Sequence, residues 1–405
     1  MTFGFQLFAF CVTSLLLTIV VAKSLRSTFT VNLILSSLAF LGAMKLIPSS
    51  KSLFLKANCV GIDVNKLNKP QIPESIGLVV ACCYFICMGC FLPFPFKESP
   101  AGNKEFFYCE YVEMVCGLLS ICYMVLLGFV DDILELRWRD KLVLPAIATL
   151  PLLLVYHNNG GSTYVSMPSL LRPWFGGAVD LGYFYYLCVS VMGVFCTNAI
   201  NILSGVNGLE AGQSENRAHY VSLFFMMPFV FVTLALTYYN WFPAEVFVGD
   251  TFCYFAGMTF AVAGILGHFT KTLWLFFIPQ LLNFIYSVPQ LLRLIPCPRH
   301  RMPRLDESTG KLINSFTSFK PLELSPSGRF IFNVLKFLRL AKIIDDGSGH
   351  VRMSNLTLIN FFIYVFGSKR EDKVTASLLL LQVMCSFLAI YIRYGISPPI
   401  FVVGD

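Results

Sequence analysis

Charge is what this chain has least of. Only 13% of its 405 residues are Asp, Glu, Lys or Arg, against about 25% in an ordinary soluble domain, and mean hydropathy is +0.69. That shortage excludes a soluble globular fold. Cys/His spacings of the metal-binding kind are also missing. The 14 cysteines lie mostly inside apolar runs, as at Cys82, Cys83, Cys87, Cys90, Cys116, Cys122 and Cys196. They read as small buried hydrophobes and not as a disulfide framework. The sequence has no low-complexity segment and no solenoid-type repeat. The 30 basic residues outnumber the 23 acidic ones but sit in short loops between apolar runs. This argues against nucleic acid as a partner and fits cytosolic loops under the positive-inside rule.

What the chain does have is charge-free length. A helix needs about 20 apolar residues to cross a bilayer. Runs of that kind fall at 1–22, 27–44, 75–96, 114–130, 142–156, 181–203, 220–244, 251–270, 272–292 and 374–392. They predict an all-α, polytopic membrane helix bundle of 9–10 spans. The runs flanking Lys271 are read as a tight hairpin. Residues 1–26 are read as a signal peptide or an extra N-terminal helix, because the first run ends Val20-Val21-Ala22 but has no basic residue before it. Residues 27–405 form a single membrane-embedded domain, with a cytosolic insertion at 295–373 before the last span. Within it, Phe330–Ile344 reads as an amphipathic helix lying on the surface.

Four polar constellations interrupt the apolar runs. Asp131-Asp132 directly follows the run Met114–Val130 and precedes Arg137, Arg139 and Lys141. Carboxylates at a membrane helix end are costly, so they mark sites more often than ornament. A carboxylate pair with a nearby lysine suits metal-assisted phosphoryl transfer, in which cations absorb developing charge; the plainer reading is a helix-end pair balanced by those cations. Asn198 and Asn201 share a helix face and lead into Ser204-Gly205-Val206-Asn207-Gly208. They are either interhelical glue or the rim of a ligand site whose glycines admit close backbone approach. Asp250, in Phe247-Val248-Gly249-Asp250-Thr251, is either an N-cap or a metal ligand. Arg299-His300-Arg301-Met302-Pro303-Arg304 is a basic run stiffened by Pro296, Pro298 and Pro303. A fixed arginine fork suits phosphate or sugar better than a loose polybasic tail does.

Together with Gln71-Ile72-Pro73-Glu74-Ser75, these motifs resemble the eukaryotic UDP-GlcNAc:dolichyl-phosphate GlcNAc-1-phosphotransferase family from about residue 30 onward. The resemblance implies transfer of GlcNAc-1-phosphate from UDP-GlcNAc to dolichyl phosphate, the first step of N-glycan assembly. It implies a multi-pass protein of the endoplasmic reticulum membrane with its site facing the cytosol, inhibited by tunicamycin-type nucleosides. Asp131 and Asp132 match the catalytic pair, and Lys141 and Arg299 match pyrophosphate contacts. His300 and Arg301 match catalytic positions near the sugar. Val64, Glu74, Trp138, Gly205, Asn207, Phe247 and Arg301 match substrate-binding positions. Asn201 and Asp250 match the ligands of Mg²⁺. The partners implied are UDP-GlcNAc, dolichyl phosphate and membrane lipid, with a homodimer left open.

The chain departs from the family pattern in three respects: its crossings, the extra apolar run at 1–22, and Glu135, where the resemblance implies Asn. Crossing the membrane once per apolar run places Asp131 and Asp250 on opposite sides. Family members carry one more apolar helix after the segment matching Gln213-Ser214, where this chain has only Glu215-Asn216-Arg217-Ala218 before the next run. The expectation is that one span is missing here. That keeps two alternatives open: an inactive or variant paralogue or isoform lacking that span, and a polyprenyl or nucleotide-sugar transporter. Asn355-Leu356-Thr357 is a glycosylation sequon expected to be unmodified if its loop is cytosolic.

Overall fold

The computed structural model describes residues 28–63, 66, 70–96, 104–134, 136–137, 140–166, 172–202, 217–298, 301–345, 347 and 349–393, with 10, 13 and 14. The chain divides into two compact units. One comprises Met1–Gly61, Ile72–Phe276 and Ser386–Asp405; the other comprises Ile62–Gln71 and Phe277–Cys385.

The first unit is helical. Its elements are α1 Thr28–Lys56, α2 Gly77–Phe91, α3 Lys104–Leu134, α4 Asp140–Asn158, α5 Tyr183–Ile202, α6 Arg217–Asn240, α7 Gly249–Leu266 and α8 Thr270–Phe276. Strands β1 Val60–Ile62 and β2 Gln71–Pro73 lie between α1 and α2 in sequence. The antiparallel pair β3 Tyr164–Ser166 and β4 Ala178–Asp180 links α4 to α5. Helix α7 is buried nearly all round, as its uninterrupted apolar sequence requires, with α2, α3, α5 and α6 packed about it. Glycines let the backbones meet. A Cβ added at Gly128 of α3 would lie 2.6 Å from Thr251 Cα, and one at Gly257 would lie 2.4 Å from Thr197 Cα. Small residues serve membrane helices in this way because close packing must replace the hydrophobic effect.

Contacts along the helices fix their directions. Helix α5 runs antiparallel to α4 and α7, with Thr149 Oγ1 3.4 Å from Ser190 Oγ and Asn198 Nδ2 donating to Lys141 O at 3.3 Å. The end of α5 therefore lies beside the starts of α4 and α7. Helix α6 also runs antiparallel to α7. Near its start, Ser222 Oγ donates to Ala263 O at 2.8 Å, and at its end Asn240 Nδ2 donates to Val246 O at 2.8 Å. The end of α6 thus approaches the start of α7. Consecutive helices α5 and α6 therefore run in the same direction, with the end of α5 and the start of α6 at opposite ends of the bundle.

The second unit contains α9 Ile278–Leu291, the hairpin β5 Arg304–Asp306 with β6 Lys311–Ile313, and a three-stranded antiparallel sheet. That sheet has the order β7 Phe316–Phe319, β9 Val351–Ser354, β8 Ile343–Asp345. Helices α10 Pro326–Phe337 and α11 Leu358–Phe366 follow the sheet's first and last strands in sequence, and α12 Glu371–Tyr391 begins in this unit. Its core holds Ile295, Phe319, Phe332, Leu335, Met353 and Leu356. Helix α10 is shorter than the segment predicted from its pattern: it ends at Phe337, and Ile343 and Ile344 enter β8. Its Phe332 and Leu335 face that core, while Phe330 and Phe337 are exposed. The predicted span at 272–292 is two helices, α8 and α9; the second begins with Pro279 in its first turn. Asn355 is buried, donating to Ser315 Oγ and accepting from Gln290 and Thr317, which takes its amide out of reach of glycosylation.

Among the described residues, six helices are long and apolar enough to cross a membrane: α1, residues Tyr108–Leu134 of α3, α4, residues Tyr220–Asn240 of α6, α7 and α12. Shorter apolar helices lie at Gly77–Phe91 and Tyr183–Ala199. This is the polytopic all-α architecture that the apolar runs predicted. The run at 1–22 lies almost wholly outside the described residues.

Candidate active site

The two adjacent carboxylates end α3 in different surroundings. Asp131 is 2% exposed. Its Oδ1 accepts from the Leu136 N–H at 3.0 Å, while Oδ2 accepts from Tyr254 Oη at 2.9 Å and lies 2.8 Å from Lys141 Nζ. Asp132 instead caps another helix. Its oxygens accept from the N–H of Asp250 at 2.6 Å, the N–H of Thr251 at 3.2 Å and the Thr251 hydroxyl at 2.5 Å. The first N–H groups of a helix have no partner within it, and the α7 end lacks a side-chain cap of its own. A carboxylate there satisfies those donors and meets the positive end of the helix dipole. Gly249 makes room: its φ is +73°, and a Cβ there would lie 2.5 Å from Asp132 Oδ2 and 2.7 Å from Ser75 Cα.

Lys141, at the start of α4, joins α3 to α7. Its ammonium lies 2.8 Å from Asp131 Oδ2 and 3.2 Å from Asp250 Oδ2. Asp250 therefore stands in the first turn of α7 but is not its cap. Asn198 takes the plainer of its two readings, holding the end of α5 to the start of α4 through Lys141 O.

A second edge of the site comes from an extended pairing. The Phe247 N–H donates to Pro73 O at 2.8 Å, and the N–H groups of Ile76 and Gly77 donate to Phe247 O and Val248 O. This brings Glu74 beside Phe247. Both surround Gly61, where an added Cβ would lie 2.7 Å from the Phe247 ring and 3.1 Å from Glu74 Oε2. Burial, reinforced by the Asp132 and Asp250 carboxylates, raises the Glu74 carboxyl above its ordinary range.

Four carboxylates thus gather near one ammonium, which pairs with Asp131 and Asp250, an excess of hard oxygen donors that fits a divalent cation such as Mg²⁺. Among the described residues no group of three or more His, Cys, Asp and Glu side chains is placed to hold a metal ion by itself. Asn201 lies in the last turn of α5, which ends beside Lys141, but its side chain is outside the described residues. Val64, Trp138, Gly205, Asn207, Arg299 and His300 also lie outside them. In the second unit Arg301 is part-buried; its carbonyl accepts from Ser315 and Asn360, and its Nη1 is buried without a hydrogen-bond partner among the described residues.

Sequence reasoning missed Tyr254, Thr251 and Gly249. Tyr254 carried a usable signal, since it falls four residues after Asp250 and so on the same helix face. Nothing local to Asp132 showed that its partners lay more than a hundred residues away.

A family model described as "Glycosyl transferase family 4" matches residues 114–268, which span α3's site end, α4, α5, α6 and α7. A Schizosaccharomyces pombe protein is 41% identical, with 93% of this chain and 94% of the relative covered. One from Saccharomyces cerevisiae is 40% identical over 89% of this chain and 90% of its own length. One from Dictyostelium discoideum is 41% identical, with 86% and 85% covered. All three are named UDP-N-acetylglucosamine–dolichyl-phosphate N-acetylglucosaminephosphotransferase. The alignment with the S. pombe protein runs over 419 residues, more than the 405 in this whole chain, so that relative carries residues with no counterpart here.

Proposed function

We propose, because the chain belongs to the eukaryotic UDP-N-acetylglucosamine–dolichyl-phosphate N-acetylglucosaminephosphotransferase family, that it transfers GlcNAc-1-phosphate from UDP-GlcNAc to dolichyl phosphate, giving GlcNAc-pyrophosphoryl-dolichol and UMP. The observation that carries the reading is Lys141 Nζ held between Asp131 and Asp250 at the end of a membrane bundle. An oxygen of dolichyl phosphate attacks the β-phosphorus of the nucleotide sugar, and UMP leaves. The acceptor is already anionic at neutral pH, so the step asks for positioning and charge balance more than for a strong base.

Each residue then has a distinct task. Asp131, fixed by Tyr254 and the Leu136 N–H, orients the Lys141 ammonium toward the pyrophosphate. Asp132 is a positioning residue: by capping α7 it sets where Asp250 stands. Asp250, with Asn201, would hold Mg²⁺, which when bound supplies charge neutralisation at the pyrophosphate. Glu74 and Phe247 line the edge that takes the nucleotide sugar. The same reading sets the protein in the endoplasmic reticulum membrane with this end toward the cytosol. Lys51 and Lys56 at the end of α1, and Lys141, support that orientation. A transporter would gather its polar groups near the bilayer midplane, whereas these sit at helix ends.

The test is transfer of labelled GlcNAc-1-phosphate to dolichyl phosphate in membranes. Lys141→Ala should slow it by roughly 10²–10³, the usual cost of removing one group that stabilises developing charge. An unchanged rate would refute the assignment.

A further inference from the structure

Four cations gather around one cavity of about 760 Å³ in the second unit. Lys311 enters it from the start of β6. Lys369, Arg370 and Lys373 enter from the start of α12 and the residues just before it. Two nearby carboxylates, Asp306 and Asp372, have partners of their own. Asp306 accepts from the Ser308 N–H and hydroxyl at 3.1 and 2.7 Å and from the Thr309 hydroxyl at 2.6 Å, which closes the hairpin turn. Asp372 receives Arg370, with Nε 2.8 Å from Oδ1. Among the described residues Lys311, Lys369 and Lys373 form no ion pair. Lys369 is held in place from below, with its ammonium 5.5 and 5.6 Å from the ring centres of Phe362 and Phe366.

A second, independent observation says where this cavity lies. Helix α12 has the length and composition of a membrane span. Its exposed apolar side chains, Leu380 and Met384, begin one turn beyond Ser377 in the cavity wall, and Val365 and Phe366 of α11 are also exposed. A basic hollow at the head of a lipid-facing helix stands at the level of phospholipid headgroups. Clustered Lys and Arg at that level attract anionic lipid.

We propose that this cavity binds the phosphate of an anionic phospholipid headgroup. Inorganic phosphate shares the chemistry, but the apolar belt directly beside the cations favours a ligand that brings acyl chains with it. Each lysine is expected to contribute about fivefold in affinity.

The full chain in neutral detergent, titrated with phosphatidylserine, phosphatidylcholine or inorganic phosphate and followed by native mass spectrometry, tests this. Phosphatidylserine adducts should form at about one-tenth the phosphatidylcholine concentration or less. The triple variant Lys311→Gln/Lys369→Gln/Lys373→Gln should lose that preference, and the corresponding triple Lys→Arg variant should keep it. Melting temperatures of both variants separate loss of binding from loss of fold. Phosphate that binds the free protein as tightly as phosphatidylserine would uphold the anion site and overturn the lipid as its occupant. Equal affinity for the two lipids, or a preference that survives in the glutamine variant, would overturn the site itself.

Discussion

Two interhelical junctions leave the same end of the bundle and arrive at different places. Residues 135–139 carry the chain from α3 to α4, and both helix ends lie at the carboxylate cluster, with the Asp140 N–H donating to Arg137 O at 2.9 Å. Residues 203–216 carry it from α5 to α6, whose adjoining ends lie at opposite ends of the bundle. The first junction is the ordinary turn between antiparallel neighbours. The second joins helix ends that the bundle sets apart. Fourteen residues as a helix reach only about 21 Å of the roughly 30 Å that a membrane crossing takes. An extended, lipid-exposed path would leave backbone groups unpaired in hydrocarbon. Every other pair of successive helices from α1 to α7 alternates in direction, so the parallel run of α5 and α6 is the one break in the pattern among the described helices. The doubt raised by counting crossings is also resolved: Asp131 and Asp250 share one lysine at one end of the bundle.

The comparison can be broken from either side. If the expected span is missing, an apolar helix of about 20 residues inserted between Ser214 and Glu215 should raise GlcNAc-1-phosphate transfer at least tenfold. The same helix inserted between Glu135 and Leu136 should abolish transfer, since it sends Lys141 to the far side. Equal effects at the two positions would show that the junctions do not differ as described. A smaller effect sharpens the site end. Asp132→Ala removes the cap of α7 and should lower stability by about 1–2 kcal/mol, read as melting temperature, with Asp132→Asn keeping part of it. If Asp132→Ala melts like the wild type, Asp132 does not cap the helix.

The smallest effect concerns pH. The folded-state pKa of Glu74 is raised, chiefly by burial. Its contribution to stability is therefore fully present below the unfolded pKa of a glutamate and is lost as pH rises through the folded value. In chelator, wild-type melting temperature should fall across that window relative to Glu74→Gln. A constant difference between the two proteins would remove the proposed burial of this carboxyl among Asp132 and Asp250.

Much of this was legible in the sequence, for identifiable reasons. Charge-free runs are set by composition, so most spans appeared where expected. The Asp131-Asp132 pair and Asp250 stood out because ionised groups are rare at helix ends in a membrane. What could not be read was the division of labour within the pair. Asp131 and Asp132 are neighbours in sequence with equal chemistry, and only the approach of α7, through Gly128 and Gly249, gives one a lysine and the other a helix end. The second unit's sheet was missed because its strands are only three or four residues long, too short for alternation to register. The run at 272–292 failed as a single span because apolar composition does not reveal where a proline starts a new helix.

The most direct test compares the chain with its Asp250→Ala variant, by the rate at which membranes move labelled GlcNAc-1-phosphate from UDP-GlcNAc to dolichyl phosphate. If Asp250 and Lys141 form the phosphoryl-transfer centre, the variant should be slower by roughly 10²–10³. A variant as fast as its parent would contradict the account.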